Sequence, residues 1–505
     1  MFWHLFSLQG PAAVGQWGDA GQPYPYVTVS DVWAGRNMRV RLRTHGRKKS
    51  SLIQMGTTLE VKRGNNWMTE WPAAVAIPSF GPITAGATVT AVKPDNATIE
   101  VLPETSGGLV KSITAGNATR LKLDAVTFTG PGNEYIAVRQ DASGLAYTTL
   151  GPHWTKTNSY PALYVSGSKV RASVGFTVER ERFAETVVVK GVASSGSTSF
   201  TLWATSTIPA NATNWGVTTT ADTALASNKV DFFNKMKIKW SYAAFNTTDF
   251  QPVGTSENQV YVTLRTPVTT ELRHTIAHLA CSTPGATDDD TAVANTWAKF
   301  STGSGPAGVT TWDGKLLYYY KAGFPSLAAS LTAGSLLENT NLNGQCGAFK
   351  QLLGYAWLAN GVSAWTNIEV LSPEGSGGYF LVKHWSFGAT NDDNPEYPWL
   401  LTFANGRPDL VPTGNVGGTV ANTSALPGQN SPVPAANVFN NHQLNLYGTN
   451  YFDPSYGKVF LSEADFESNA VAGHGIPLNS GAQTNLVLRI WPTGFKSNIV
   501  EFVPR

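Results

Sequence analysis

The sequence predicts a multidomain protein with an all-β, β-sandwich-like N-terminal half followed by an α+β domain. Up to about residue 268, short stretches alternate apolar and polar side chains between Gly, Pro, Asn and Asp, as strands and turns do. After Thr270 the apolar period becomes that of amphipathic helices. Because the 505 residues correspond to about three domains of ordinary size, we expect β-rich domains over 1–150 and 151–268 and the α+β domain over 269–505.

The composition narrows the class of protein. Only 14% of residues are charged and the formal net charge is +2, which argues against binding to nucleic acid. High Gly, Thr, Ser, Asn and Trp contents are typical of β-rich surface proteins, so an extracellular or cell-surface location is favoured. No apolar run reaches the roughly 18 residues that predict an integral membrane segment. The start, Met1 to Phe6, lacks the basic and long apolar regions of a signal peptide.

The clearest strand patterns of the N-terminal half support two β-rich domains. In the first domain they cover 88–92, 97–101 and 120–123, and in the second 168–178, 237–242 and 259–264. We place the boundary between the two domains at Leu150-Gly151-Pro152, where a Gly-Pro pair indicates a turn or loop.

Three amphipathic helices are predicted in the C-terminal part. The first covers Glu271 to Cys281, and the second opens at Thr287 to Asp290, where acidic side chains suit a helix N-terminus. The aspartates match no EF-hand spacing, so capping is favoured over a calcium site. The third helix follows Cys346 and carries an apolar face at i, i+3, i+4, i+7 and i+8, before a left-handed stop at Asn360-Gly361.

Further strands are predicted around a long irregular stretch. They cover 366–371, 379–385, 445–451 and 487–491. Residues 389–437 are mostly Gly, Pro, Asn, Thr and Ala, and this stretch is too long for an ordinary connection. We therefore expect a lid, a substrate loop or an insertion there.

One of only two cysteines stands where a nucleophile would be activated. A free thiol is mostly protonated at neutral pH, and a helix N-terminus and a nearby imidazolium both favour the thiolate. Cys346 lies at the predicted helix start, and His442 is the candidate imidazole. Asp453 follows His442 across two short predicted strands, a hairpin that would bring the two side chains together. Thiolate, imidazole and carboxylate are the parts of a nucleophilic acyl-transfer site, which requires Cys346 to be reduced.

Two segments of the chain resemble the transglutaminase-like branch of the papain-type fold. "NGQCGAFKQLLGYAWLANGVSAW" resembles the helix that carries the family's cysteine, and "NHQLNLYGTNYFDPSYG" resembles its His-to-Asp hairpin. The resemblance covers roughly 270–470 and implies Cys346 as nucleophile, His442 as general base and acid, and Asp453 as orienting carboxylate. A longer Cys-to-His spacing and Leu444 in place of an aromatic residue depart from the pattern. The stretch from Ile238 to Pro267 resembles the β-sandwich module that often precedes such domains in bacterial surface proteins.

Other residues compete for roles in this site. The backbone N–H of Cys346 is one oxyanion donor, and the amides of Gln345, Asn343 and Asn341 are candidates for a second. His384 is an alternative to His442 but lacks a following Asp-Pro motif. His274 and His278 have the i, i+4 spacing of metal ligands without an apparent third ligand, so packing is favoured. Cys281 is predicted to be a buried structural thiol.

The resemblance implies a cysteine acyltransferase or peptidase that acts on a protein or peptide substrate through a Cys346 thioester. Amide cross-linking, deamidation and peptide hydrolysis all remain open, and neither an organic cofactor nor a metal is required. The first alternative is a non-catalytic surface or adhesion protein that keeps the fold as a scaffold. A second alternative is a carbohydrate-binding protein, because the 16 Trp offer aromatic platforms for sugars.

Overall fold

The computed structural model of the protein describes a set of separate ranges. They are residues 4–6, 27–30, 40–45, 56–63, 66–69, 87–92, 110–116, 120–179, 184–196, 198–225, 227–244, 250–301, 308–321, 324, 328–372, 378–383, 397–404, 407–412, 426–431, 438–477, 485–492 and 500–505. This part of the chain is mostly β-structure. Its separation into an all-β half and an α+β domain stays a prediction.

Two sheets are formed by the strands before residue 120. The strands are β1 (His4–Phe6), β2 (Val27–Ser30), β3 (Val40–His45), β4 (Gly56–Arg63), β5 (Asn66–Thr69), β6 (Ala87–Val92) and β7 (Val110–Gly116). The sheet orders are β1-β2-β6-β7 and β3-β4-β5. The predicted strand at 88–92 lies in β6, whereas the one at 97–101 lies outside the described residues.

A nine-stranded sheet follows, in the order β8-β11-β14-β13-β12-β15-β16-β10-β9. Its strands are β8 (Arg120–Thr129), β9 (Tyr135–Ile136), β10 (Ala162–Val165), β11 (Arg171–Glu179), β12 (Glu185–Ser195), β13 (Thr198–Ile208), β14 (Asn214–Ala221), β15 (Asp231–Ala244) and β16 (Gln251–Thr263). Buried residues alternate with less buried ones along β11 and β14, because successive side chains of a strand point to opposite faces. The other predicted strands of this region overlap β8, β15 and β16.

All described helices follow residue 273. They are α1 (His274–Cys281), α2 (Asp289–Trp297), α3 (Ala333–Glu338), α4 (Cys346–Ala359) and α5 (Glu463–Ala470), besides a 3-10 turn at Tyr147–Thr149. α1 begins later than predicted because Arg273, its N-cap residue, has an extended backbone. Among the described residues, no helix is long and apolar enough to cross a membrane.

The remaining strands form two larger sheets and one short pair. They are β17 (Tyr318–Tyr319), β18 (Asn343–Gly344), β19 (Trp365–Leu371), β20 (Tyr379–Val382), β21 (Tyr397–Ala404), β22 (Arg407–Pro412), β23 (Val438–Phe439), β24 (Asn441–Tyr447), β25 (Asn450–Asp453), β26 (Lys458–Phe460), β27 (Val471–Pro477), β28 (Asn485–Pro492) and β29 (Glu501–Pro504). The sheet orders are β26-β25-β24-β19-β29 and β22-β21-β28-β27-β20-β23, and β17 pairs with β18.

The chain divides into two compact units. One contains residues 1–126, 171–222 and 237–256, and the other contains 127–170, 223–236 and 257–505. Both units draw on alternating stretches of the chain, and the boundaries near 150 and 268 stay predictions. The candidate site lies entirely in the second unit.

Helix α4 is fixed at its middle and at its end. Gly354 makes room for Trp365 of β19, since a Cβ built on this glycine would lie 2.5 Å from the indole ring. The helix ends at Asn360-Gly361 as predicted: Gly361 has a φ of +75°, and Val362 N–H donates to the Trp357 carbonyl oxygen at 3.1 Å. The buried Asn360 amide accepts from Leu264 N–H and donates to the Ala280 carbonyl oxygen. These contacts anchor the helix that begins with the candidate nucleophile.

The described part of the stretch 389–437 contains two strands that its composition does not predict. It contains β21 and β22, which pair as an antiparallel hairpin, and β21 also pairs with β28. Its described end, residues 426–431, includes Gln429, which is fully buried. Because the stretch is rich in glycine and proline, its sequence predicts neither these two strands nor the buried position of Gln429.

Candidate active site

Cys346 is the first residue of α4, and two backbone segments hold this helix start in place. Gln345 N–H donates to the Ser330 carbonyl oxygen at 2.9 Å, and Ser330 N–H donates to the Asn343 carbonyl oxygen at 2.8 Å. β17 pairs in parallel with β18 just before the cysteine. Cys346 is 8% exposed. The backbone N–H groups of a helix's first turn lack intrahelical acceptors, so the thiol lies at the positive end of the helix dipole.

The hairpin of β24 and β25 brings His442 and Asp453 into direct contact. The Asn450–Asp453 strand pairs antiparallel with Asn441–Tyr447, the turn contains Gly448 at a φ of +58°, and His442 Nε2 lies 2.8 Å from Asp453 Oδ2. The other carboxylate oxygen, Oδ1, accepts from the backbone N–H groups of Ser455 and Tyr456 at 3.0 and 3.3 Å. Both carboxylate oxygens therefore have partners, which fixes the orientation of Asp453 and through it the imidazole.

Aromatic rings enclose the His442 imidazole. The ring centroids of Phe439 and Tyr456 lie 5.3 and 5.7 Å away, and those of Tyr319 and Phe466 lie 6.4 Å away. His442 and Asp453 are each only 1% exposed. Excluding water strengthens the attraction between an imidazolium and a carboxylate, because the local dielectric constant is low.

The carboxylate reverses the effect of burial on the histidine. Burial alone disfavours the charged imidazolium and lowers its pKa. The negative charge of Asp453, the hydrogen bond to it and the interaction with Cys346 outweigh that cost and raise the pKa of His442 to about 10. The imidazole is therefore protonated at neutral pH.

Cys346 interacts with the same imidazole. His442 Nδ1 is buried and makes no hydrogen bond of standard geometry with any described residue. The Cys346 thiol lies close enough to raise the pKa of the imidazole, and catalytic hydrogen bonds are often long before substrate binds. Lys350, one turn further along α4, has its pKa lowered by burial, whereas a charged Cys346 opposes that shift. His442 and Lys350 therefore both interact with Cys346, which lies at the start of α4.

The predicted oxyanion amides are engaged with nearby backbone. Asn343 is buried and its Oδ1 accepts from Lys321 N–H at 2.8 Å, while Gln345 Nε2 donates to the Ala329 carbonyl oxygen at 3.4 Å. Asn341 takes part through its backbone carbonyl oxygen, which accepts from Lys321 Nζ. Their role as oxyanion donors stays a prediction, as does that of the Cys346 N–H. A further amide, that of Gln443, packs against Gly347: a Cβ there would lie 3.3 Å from Gln443 Oε1.

A buried polar segment that sequence reasoning missed supports the turn after Asp453. Gln429 Nε2 donates to the carbonyl oxygens of Phe300 and Pro454 at 2.7 and 2.9 Å, and its Oε1 accepts from Val309 N–H at 2.9 Å. Gln429 N–H also donates to the Ser455 carbonyl oxygen. This side chain therefore joins the Asp453 turn to the loop that precedes β17. Its position in a Gly- and Pro-rich stretch gave no periodic signal.

Tyr319 of β17 and the next residue, Tyr320, also border the site. Tyr319 is fully buried, and its N–H donates to the Gln429 carbonyl oxygen at 3.0 Å. Tyr320 has a φ of +51°, which is uncommon for a residue with a side chain. Burial, followed by the charge of Cys346, raises the pKa of Tyr320, and burial raises that of Tyr319, so both phenols remain neutral. Uncommon backbone geometry of this kind clusters at functional sites.

The competing candidates lie elsewhere. His384 is outside the described residues. His274 is 2% exposed, stacks on Trp312 and hydrogen-bonds to the hydroxyls of Tyr147 and Tyr261. His278 also contacts the Tyr261 hydroxyl. Burial lowers the pKa of His274 to about 3 and that of His278 to about 4, so both are neutral packing residues.

The second cysteine and the aspartate triplet have structural contacts. Cys281 and Cys346 are both free thiols. Cys281 is fully buried, as predicted, and burial raises its pKa to about 12. Asp288 caps α2 by accepting from Thr291 N–H at 2.8 Å, as the sequence predicts. Asp290 accepts from the Tyr447 hydroxyl at 2.6 Å, which links α2 to β24.

A scan against models of known protein families and a search of curated proteins found no match to this chain.

Proposed function

We propose that this protein is a transglutaminase-like cysteine acyltransferase in which Cys346 is the nucleophile, His442 the general acid and base, and Asp453 the orienting carboxylate. The observation that carries the proposal is the buried contact between His442 Nε2 and Asp453 Oδ2 at 2.8 Å, with Cys346 beside the same imidazole. An ion pair shielded from solvent at the start of a helix is the setting that activates a thiol.

The first half of the proposed reaction forms a thioester. The Cys346 thiolate attacks the carbonyl carbon of an amide, a C–S bond forms, and the carbonyl π electrons move to the oxygen. Collapse of this intermediate breaks the C–N bond while the His442 imidazolium gives its proton to the leaving ammonia or amine. Asp453 keeps the ring oriented throughout.

The second half returns the enzyme to its starting state. Neutral His442 removes a proton from an amine or from water as that nucleophile attacks the thioester carbonyl carbon. The C–S bond breaks, and the thiolate–imidazolium pair forms again. An amine acceptor gives a cross-linked amide, and water gives deamidation or peptide hydrolysis. The substrate class we infer is a protein or peptide that offers an accessible carboxamide or peptide bond.

The test measures all three outcomes with the full chain. Dimethylated casein is incubated with a fluorescent primary amine, and amine incorporation, ammonia release and peptide release are followed. We expect at least one product, its loss in Cys346→Ala and its retention in Cys281→Ala, which removes the other cysteine. Retained turnover in Cys346→Ala would contradict the proposed nucleophile.

A further inference from the structure

A cleft of about 510 Å³ lies in the second unit and shares no lining residue with the candidate active site. Its walls come from residues near 147, 154–161, 234–235 and 257–259, together with His274 and Trp312. The volume falls within the range of small-molecule binding sites, roughly 300–1,000 Å³. This cleft is defined by its aromatic lining.

The aromatic rings of the cleft are held in place before any ligand arrives. Tyr147 stacks on Tyr160 with ring centroids 4.9 Å apart and planes 24° apart. His274 stacks on Trp312 at 4.0 Å and 15°, and the Tyr147 hydroxyl joins the two pairs through a 3.1 Å hydrogen bond to His274 Nδ1. Trp312 is nevertheless 37% exposed. Ring surface that is ordered in advance loses little conformational entropy on binding.

Polar side chains surround these rings and carry little net charge. Asn158 and Asn234 are exposed at the edge, and Gln259 Nε2 donates to Asn234 Oδ1 at 3.1 Å. Lys235 and Glu257 lie 4.0 Å apart and offset each other, which leaves Lys156 as the remaining charged lining residue. Burial keeps His274 neutral. The cleft therefore combines aromatic faces with amide and carboxylate groups and favours a neutral ligand.

We propose that this cleft binds a neutral oligosaccharide, with a pyranose ring lying against Trp312 and its hydroxyls bonded to the amides and carboxylate at the edge. The C–H groups of a pyranose face are weakly positive and meet the negative face of an aromatic ring. Sugar hydroxyls both donate and accept, as the amides and the carboxylate at the edge require.

A proline-rich peptide is the competing ligand, because such peptides also bind aromatic grooves. Its prolines offer carbonyl acceptors and no backbone N–H donor, so it would leave the Glu257 carboxylate without a new partner. Ligand binding in this cleft is independent of the chemistry at Cys346, because the two sites share no lining residue within the described part of the chain.

The experiment is calorimetric titration of the full chain with maltohexaose, cellohexaose and the hexamer of N-acetylglucosamine, with decaproline as the competing probe. We expect saturable binding of at least one hexasaccharide below about 10 mM, weakened about tenfold in Trp312→Ala. Trp203→Ala is the matched control, because Trp203 is 40% exposed and lies in the other unit. It should bind as the wild type does.

A second variant tests the same binding site in case Trp312→Ala disturbs the structure around it. Asn234 is exposed, so Asn234→Ala should keep the wild-type melting temperature while weakening the sugar about threefold or more. Three results would each overturn the proposal: no hexasaccharide binds, Asn234→Ala and Trp312→Ala bind as the wild type does, or decaproline binds and is the ligand that Trp312→Ala loses.

Discussion

The side chain of Gln429 offers a quantitative test of how the Asp453 turn is supported. Gln429→Leu keeps a similar volume and removes three buried hydrogen bonds, those with Val309 N–H and with the carbonyl oxygens of Phe300 and Pro454. A buried donor or acceptor left without a partner costs roughly 1–3 kcal/mol. The burial of the apolar leucine side chain offsets part of the summed cost of the three unpaired groups, so we expect a net loss of about 3–5 kcal/mol in the free energy of unfolding.

The assay is urea unfolding of the full chain, followed by tryptophan fluorescence. Gln351→Leu is the matched control, because this glutamine makes one partly buried hydrogen bond, from Ala333 N–H at 3.1 Å. We expect it to lose about 1 kcal/mol. We also expect Gln429→Leu to slow any activity that depends on Cys346, because the turn that orients Asp453 loses the hydrogen bond from Gln429 to the Pro454 carbonyl oxygen. Equal destabilisation by the two variants would refute the reasoning.

Three further predictions concern the site itself. Asp453→Asn keeps the shape of the site but removes the charge that raises the pKa of His442, so turnover at pH 7 should fall about 10²- to 10⁴-fold with little change in circular dichroism. Gly347→Ala places a Cβ 2.9 Å from the Leu331 carbonyl oxygen, so the start of α4 must shift, and we expect a loss of about 1–3 kcal/mol in urea unfolding. Gly216→Ala is the control, because a Cβ at this exposed glycine makes ordinary contact, 3.5 Å from the Val174 carbonyl oxygen; it should change the free energy of unfolding by less than about 0.5 kcal/mol. Because the pKa of His442 is about 10 when folded and about 6.5 when unfolded, its contribution to stability is complete below pH 6.5 and is lost as the pH rises towards 10. Urea midpoints should therefore fall more between pH 7 and 10 in the wild type than in His442→Gln, and parallel decreases would contradict this assignment.

Elements with a strong local signal could be predicted from the sequence. The apolar face of α4 and its Asn360-Gly361 end follow from helix periodicity and from glycine's tolerance of positive φ. The turn between β24 and β25 follows from Gly448 between apolar stretches. Helix α4 carries Cys346, and the β24–β25 hairpin carries His442 and Asp453. Because both elements have a strong local signal, the residues of the candidate site could be proposed from the sequence.

The rest depends on contacts distant in sequence. Gln429 donates hydrogen bonds to the carbonyl oxygens of Phe300 and Pro454. The residues next to Gln429 in the sequence do not predict these bonds. The hairpin of β21 and β22 contains prolines, which usually argue against strands, although Tyr397–Ala404 carries an apolar run that is compatible with one. The uncommon φ of Tyr320 has no sequence signature, because tyrosine rarely adopts it.

The central claim, a thiolate–imidazolium pair at Cys346 and His442, is tested most directly by alkylation. The rate of iodoacetamide labelling at Cys346 is measured by peptide mapping between pH 5 and 10, with N-acetylcysteine as a reference thiol and the buried Cys281 as an internal control. We expect Cys346 to react at pH 6 within about tenfold of its rate at pH 8.5, while the reference thiol slows more than about 100-fold. His442→Gln should restore the steep dependence. A wild-type profile as steep as that of the reference thiol would contradict the account and favour a non-catalytic scaffold.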